Sequence, residues 1–372
     1  MSNDEHGTAE GTAGTSGTGE EETAAPPPWW IYQGTGQPHD GIRRLPGPPP
    51  WRAFDALDGD AELPAPPHHA DALSERKLGR ARQAAAYRAD DREIHLVNLA
   101  LYLRRPLLVT GRPGVGKSTL AYSIARELGL GPVLRWPITS RSTLQDGLYH
   151  YDAIGRLQEA GLRFRCAGET EAAAPPDIGP YLRLGPLGTA LLPWRFPRVL
   201  LVDEIDKSDI DLPNDLLNVF EDGEFTIPEL SRLGETPTSI MSADNGAWVT
   251  VLGGQVRCAQ FPLMVLTSNS EREFPPAFLR RCLRLEIAAP SDKKIAGMVT
   301  AHFSGSDRLE SLPEAVRADV VAEFVAKQRD RGAELASDQL LNALLMASHG
   351  LWSDPKSRKV IENNVLHPLN EG

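Results

Sequence analysis

Short apolar runs set between longer stretches of helical periodicity organise the middle of this chain. Five of them are Pro106-Leu107-Leu108-Val109-Thr110, Val133-Leu134-Arg135-Trp136, Val199-Leu200-Leu201-Val202, Leu263-Met264-Val265-Leu266-Thr267 and Leu283-Arg284-Leu285-Glu286-Ile287. Mostly apolar runs of this length between helices predict an α/β fold whose parallel sheet is buried on both faces. From Ala70 the pattern turns helical, and Ile94, Val97 and Leu101 share one apolar face with Asn98 beside it as a polar interruption. After Pro290 the positions Val316, Val320, Phe324, Leu340, Leu341, Leu344 and Leu345 keep helical spacing and predict a smaller helical domain with its own core.

The pattern fails at the N-terminus. Residues 1–25 are rich in Gly, Thr, Ala and Glu and contain no Lys or Arg, which predicts a disordered acidic tail. Over residues 26–70, Pro26-Pro27-Pro28-Trp29-Trp30 and Pro48-Pro49-Pro50-Trp51 echo one another around Ile31-Tyr32-Gln33-Gly34-Thr35-Gly36. Prolines favour an extended path and tryptophans supply large apolar area, so the segment reads as a strap along the domain or as a docking motif. Exposed tryptophans are costly for solubility, which favours the strap. A Pro/Ala/Asp linker follows, and His68-His69, with no Cys or His near in sequence, reads as part of it. Residues 71–290 then form the core and 291–372 the helical domain.

Bulk properties narrow the function classes. A chain of 372 residues suits one large domain or two ordinary ones, at about 100–200 residues each. The net charge of −11 and pI near 5.4 argue against a broad nucleic-acid-coating surface and favour a protein or small-molecule partner. Cys166, Cys258 and Cys282 lack zinc-ligand spacing, so neither a zinc module nor a disulfide framework is expected. No apolar run approaches about 20 residues and no basic region precedes an apolar core at the N-terminus, so a soluble cytoplasmic protein without a membrane span is expected.

The sharpest motif follows the first apolar run. Gly111-Arg112-Pro113-Gly114-Val115-Gly116-Lys117-Ser118-Thr119 fits the G-x-x-x-x-G-K-[ST] phosphate loop, and strand, loop and helix occur in the required order. The glycines let backbone N–H groups wrap a phosphate, Lys117 adds a cation for the outer phosphates, and the Ser118 hydroxyl suits Mg²⁺. The helix beginning at Thr119 points its positive end at the phosphates. The helix carrying Ile94, Val97 and Leu101, just before this strand, lies where a nucleotide base could rest. The run 199–202 ends in Asp203-Glu204, where Asp203 can reach Mg²⁺ and Glu204 can polarise a water for attack on the γ-phosphate. Asp206, Asp209 and Asp211 read as a solvated loop and helix cap. Asn269, after the run 263–267, can hold the attacking water, with a plain turn residue as the alternative. Arg280 and Arg281 end a short proline-started helix, from which an arginine can reach a neighbouring subunit's γ-phosphate.

Together these elements resemble the AAA+ ATPases, most closely the MoxR-like branch, over roughly residues 75–350. The resemblance implies a five-stranded αβα sandwich, a helical lid over 291–372, Mg²⁺-dependent ATP hydrolysis and ring assembly, commonly hexameric, with the site at subunit junctions. It assigns Lys117 and Ser118 to phosphate and metal, Asp203 and Glu204 to metal and water, Asn269 to the first sensor and Arg281, rather than Arg280, to the finger. Residues 246–258, two strand-like runs about Leu252-Gly253-Gly254, resemble the extra hairpin of this branch. The stretch from Thr139 through Tyr149 to Arg165 resembles an insertion through which relatives engage substrates. One position departs: Ser337-Asp338-Gln339 stands where an arginine second sensor is expected, leaving Arg329 or Arg331 as substitutes. The leading expectation is remodelling of a partner protein, as MoxR-like ATPases do alongside von Willebrand A-type proteins. A nucleotide-controlled switch in a defence or signalling complex, and a nucleic-acid motor using Arg156, Arg163 and Arg165, remain as alternatives, the motor disfavoured by the acidic balance.

Overall fold

The computed structural model describes residues 27–54, 63–67, 83–166, 176–244, 246–288, 312–329, 335 and 337–367. The expected acidic tail, His68-His69, the start of the helical pattern at Ala70 and the boundary at 290 lie outside the described residues.

Eleven strands, β1 to β11, form three sheets among those residues. The central sheet contains β1 (Leu107–Thr110), β2 (Leu134–Pro137), β5 (Val199–Asp203), β10 (Leu263–Ser268) and β11 (Leu283–Glu286), in the order β11-β1-β10-β5-β2 and all parallel. Each coincides with one of the five apolar runs. The edge strands β2 and β11 alternate in burial, whereas the inner strands β1, β5 and β10 do not, and the packing shows why. Leu108, Leu200, Val202, Met264 and Leu266 enter one apolar core, while Leu107, Val109, Val199, Leu201, Leu263 and Val265 enter another across the sheet. Both faces are covered, which makes the domain an αβα sandwich.

A four-stranded sheet, β3 (Tyr149–Tyr151), β4 (Leu182–Leu184), β7 (Thr238–Met241) and β8 (Trp248–Val251), packs beside it, and β6 (Glu224–Thr226) pairs with β9 (Gln255–Arg257). This corrects the expected hairpin over 246–258. Both strands exist, and Leu252 bridges to Gln255 across the Leu-Gly-Gly turn, but β8 pairs with β7 and β9 with β6. Gly253 and Gly254 both take positive φ, so the turn redirects the chain from one sheet into another. Between β3 and β4 lies the helix Ala153–Cys166, which leaves Ile154, Leu157, Leu162 and Phe164 exposed.

The N-terminal segment is built into the domain. Trp30, Ile31 and Tyr32 are buried in the same core as Ile94, Val97 and Leu101 of the helix Asp91–Leu103. The apolar face of that helix is therefore covered by the chain's own N-terminal segment. Asn98 explains the polar interruption: its Oδ1 accepts from the N–H groups of Ile31 and Tyr32 at 2.7 and 2.9 Å, and its Nδ2 donates to the carbonyls of Tyr32 and Ile94, both at 2.8 Å. Glu127, fully buried at the end of the helix Lys117–Glu127, accepts N–H bonds from Gln33, Gly34 and Gly36 at 2.6, 3.1 and 2.8 Å. Positive φ at Gly34 and Gly36 curves the backbone around that carboxylate as an anion nest. The second proline-tryptophan run differs, since Trp51 is 78 % exposed whereas Trp30 is buried.

The C-terminal helices Glu314–Arg329, Ser337–Ser348 and Pro355–Asn364 share a core of their own, centred on Val320, Phe324, Leu344, Trp352 and Ile361. Replacing Asn98 with Ala strands two buried N–H groups and should destabilise the protein by roughly 2–4 kcal/mol in a urea titration, whereas Trp51→Ala should stay within about 0.5 kcal/mol.

Candidate nucleotide-binding site

Parallel order places the chemistry at one edge. The phosphate loop leaves the C-terminal end of β1, Asp203 closes β5, and Asn269 follows β10, so three adjacent strands deliver their polar ends to one crevice where the strand order reverses. In the loop, Gly111, Gly114 and Gly116 all adopt positive φ. A Cβ on Gly111 would fall 2.5 Å from the Ile287 carbonyl oxygen, and one on Gly116 would meet the Tyr87 ring at 3.1 Å. Gly111 is therefore required sterically as well as conformationally, and Gly116 by its positive φ in a tight space.

Lys117 begins the helix and folds back over the loop. Its Nζ donates to the carbonyls of Gly111 and Arg112 at 2.7 and 2.9 Å and to Asn269 Oδ1 at 2.7 Å. Burial pushes its pKa down, with Asp206, Glu204 and Asp203 pulling the other way. The sensor candidate and the phosphate-loop lysine are thus in direct contact.

Asp203 is the hub of the site. Oδ1 accepts from Ser118 Oγ at 2.7 Å and from Thr267 Oγ1 at 2.8 Å, and Oδ2 accepts from Arg135 Nη2 and Nε at 2.7 and 3.1 Å. Burial opposes its charge, but hydrogen bonds from Arg135, Ser118 and Thr267 outweigh it and hold the carboxyl below its ordinary value. Glu204 has φ 64 and ψ 50, a left-handed conformation uncommon outside glycine. Its N–H is held by Thr267 Oγ1 at 2.8 Å, and its side chain meets Lys207 Nζ at 2.9 Å.

Asp206 corrects an expectation. Asp209 and Asp211 are exposed, and Asp211 makes no capping bond with its side chain, but Asp206 is only 3 % exposed. Its Oδ2 accepts the N–H groups of Asn269 and Glu271 at 2.8 and 3.2 Å, tying the loop after β10 to the turn after β5. Its sequence signal was ambiguous because acidic residues cluster there. Thr267 and Arg135 also escaped the motif reading. An arginine inside the apolar run 133–136 was the available signal.

The remaining candidates lie further along. Arg281 is paired with Glu221, and Arg280 is exposed, its Nε donating to the Pro276 carbonyl at 3.4 Å. Gln339 Nε2 donates to the His367 carbonyl at 2.8 Å. The side chain of Arg329, and Arg331 entirely, lie outside the described residues.

Ser118 and Asp203 offer two hard oxygen ligands that already converge, which fits Mg²⁺, and the glycine loop with Lys117 fits a polyphosphate. Among the described residues no helix is long and apolar enough to cross a membrane. Residues 106–282 match the family described as AAA domain (dynein-related subfamily). Over the matched residues, the order of the central sheet and the phosphate loop fit the αβα fold of AAA+ P-loop domains. No curated protein matches the chain.

Thr267→Val should cost roughly 1–3 kcal/mol at pH 7, because Asp203 loses a donor and Glu204 N–H its acceptor. With a depressed native pKa, Asp203 contributes stability that is complete above its unfolded value of about 3.9 and is lost as pH falls through the native one. The gap between wild type and variant in urea titrations should therefore narrow below about pH 4.

Proposed function

We propose that the chain is a Mg²⁺-dependent ATPase of the MoxR-like type that assembles as a ring, commonly a hexamer, and uses turnover to remodel or activate a partner protein. The observation that carries this reading is the convergence of Lys117, Ser118, Asp203, Glu204 and Asn269 at the ends of three neighbouring strands. Backbone N–H groups of residues 111–117 and Lys117 would hold the phosphates of ATP, and Ser118 and Asp203 would hold Mg²⁺. Bound there, the metal supplies positive charge against the phosphates.

The chain's own residues divide the remaining work. Glu204 sits one position beyond the metal ligand, turned aside by its left-handed backbone, and serves as the base that accepts a proton from water. Lys207 holds that carboxylate at 2.9 Å, so it must share or release Glu204 for the base to act. Asn269 positions the water, its loop fixed by Asp206. Arg281 acts at a subunit junction, exchanging its pairing with Glu221 for the neighbour's site, as an arginine finger does in trans. An exposed apolar helix face supports a protein partner, since Ile154 and Phe164 are 72 % and 75 % exposed. A von Willebrand A-type protein is the first candidate to test.

A slow nucleotide-controlled switch in a defence or signalling complex is the second reading. It is favoured by Gln339, an uncharged side chain engaged with His367 where a sensor arginine is expected. Turnover measured with and without candidate partner proteins separates the two.

Glu204→Gln should retain nucleotide binding in calorimetry while losing about 10²–10⁴-fold in turnover, and Lys117→Ala should lose binding itself. Normal turnover by Glu204→Gln would remove Glu204 from the role of base. Mixing Arg281→Ala with Lys117→Ala, each inactive alone, should restore part of the activity, because some junctions then pair an intact loop with an intact arginine. No recovery despite demonstrated subunit mixing would count against Arg281 acting in trans.

A further inference from the structure

The four donors on Asp203 are of two kinds. Among the described residues, neutral hydroxyls of Ser118 and Thr267 share Oδ1, while the guanidinium of Arg135 takes Oδ2 through both Nη2 and Nε. Since Ser118 and Asp203 are the residues that fit Mg²⁺, a fixed positive charge stands on the outer oxygen of the acidic metal ligand. We propose that Arg135 is a resident counter-cation of the metal site, neutralising Asp203 when the metal is absent and opposing Mg²⁺ when the metal–nucleotide complex binds. This deepens the ATPase reading above and rests on it.

The position of Arg135 supports the role. It lies on β2, at an edge of the central sheet, where its neighbours Leu134 and Trp136 are buried and its own side chain is 41 % exposed. Asp203 is largely buried, so its charge requires a partner whenever no metal is bound. A half-exposed guanidinium can withdraw into solvent without opening a core, which a buried one could not do. Ser118 and Thr267 can stay on Oδ1 throughout, because hydroxyls carry no charge that repels a cation. Arg135 does carry one, and like charges a few ångströms apart at a partly exposed site disfavour each other measurably. The arginine therefore tunes how strongly nucleotide binding depends on the metal.

Two effects of removing it point the same way. With Mg²⁺ present, the metal loses a repelling neighbour and binds better. Without metal, Asp203 is left as an uncompensated anion beside the phosphates, and nucleotide binds worse. The ratio of ADP affinity in Mg²⁺ to that in EDTA should therefore rise in both Arg135→Gln and Arg135→Met, by about tenfold over wild type. Arg135→Lys, which keeps the charge but not the two-nitrogen contact, should give a ratio between wild type and the neutral variants.

Calorimetric titration of the full chain with ADP, in Mg²⁺ and in EDTA, reads this ratio without any turnover, and chelation of Mg²⁺ by ADP in solution cancels between proteins. Arg135→Met retains more of the aliphatic stem than Gln, so agreement between the two separates loss of charge from loss of packing. An unchanged or smaller ratio in both variants would overturn the inference while leaving the nucleotide site intact. A wild-type affinity that does not respond to Mg²⁺ at all would overturn the metal-site reading and this inference together.

Discussion

The buried charge of Asp203 organises the site. Asp203 ends a strand whose every residue is buried, and a carboxylate in that place must find donors or lose its charge. It finds them on three separate elements: Ser118 on the helix after the phosphate loop, Thr267 on β10 and Arg135 on β2. The same requirement that keeps Asp203 ionised thus fixes the spacing of loop, sensor strand and edge strand. Thr267 extends the arrangement by one link, since the hydroxyl that donates to Asp203 also accepts the N–H of Glu204 and holds its left-handed turn. Metal ligand, base and sensor strand are consequently parts of one hydrogen-bonded unit.

A pair of buried polar side chains does for the N-terminal segment what Asp203 does for the crevice. Asn98 and Glu127 are each surrounded by backbone groups of residues 31–36, and Tyr32 adds a hydroxyl contact to Ser123 at 3.0 Å. Apolar burial of Trp30, Ile31 and Tyr32 supplies the driving force, and the polar contacts supply register. Because Glu127 and Ser123 belong to the helix that starts at Lys117, the segment is anchored to the element that carries the phosphate loop at its other end.

What the sequence reveals follows from how local each signal is. The inner strands β1, β5 and β10 are legible because burial on both faces makes each a continuous apolar run, the edge strands β2 and β11 because apolar residues recur at every second position, and the phosphate loop because its glycines and lysine are contiguous. Pairing is a different matter. Strands β8 and β9 can be read on either side of Leu252-Gly253-Gly254, yet their partners lie on other segments, so proximity suggests a hairpin that the sheets do not form. Asp206 and Arg135 are obscured for a related reason: a carboxylate among acidic neighbours looks solvated, and an arginine in a strand looks incidental, until the fold brings Asn269 to one and Asp203 to the other. The two proline-tryptophan runs look alike and end in opposite environments, because only the first continues into Ile31 and Tyr32.

The docking of that first run also fixes an order of events during synthesis. Its partners lie 66 to 94 residues further along the chain, at Asn98 and Glu127. A chain emerging from its N-terminus exposes Trp30, Ile31 and Tyr32 well before either partner has been made, and closing so long a loop is slow compared with forming a helix. This apolar cluster must therefore wait for its binding surface, and for that interval it is open to aggregation or to capture by a chaperone.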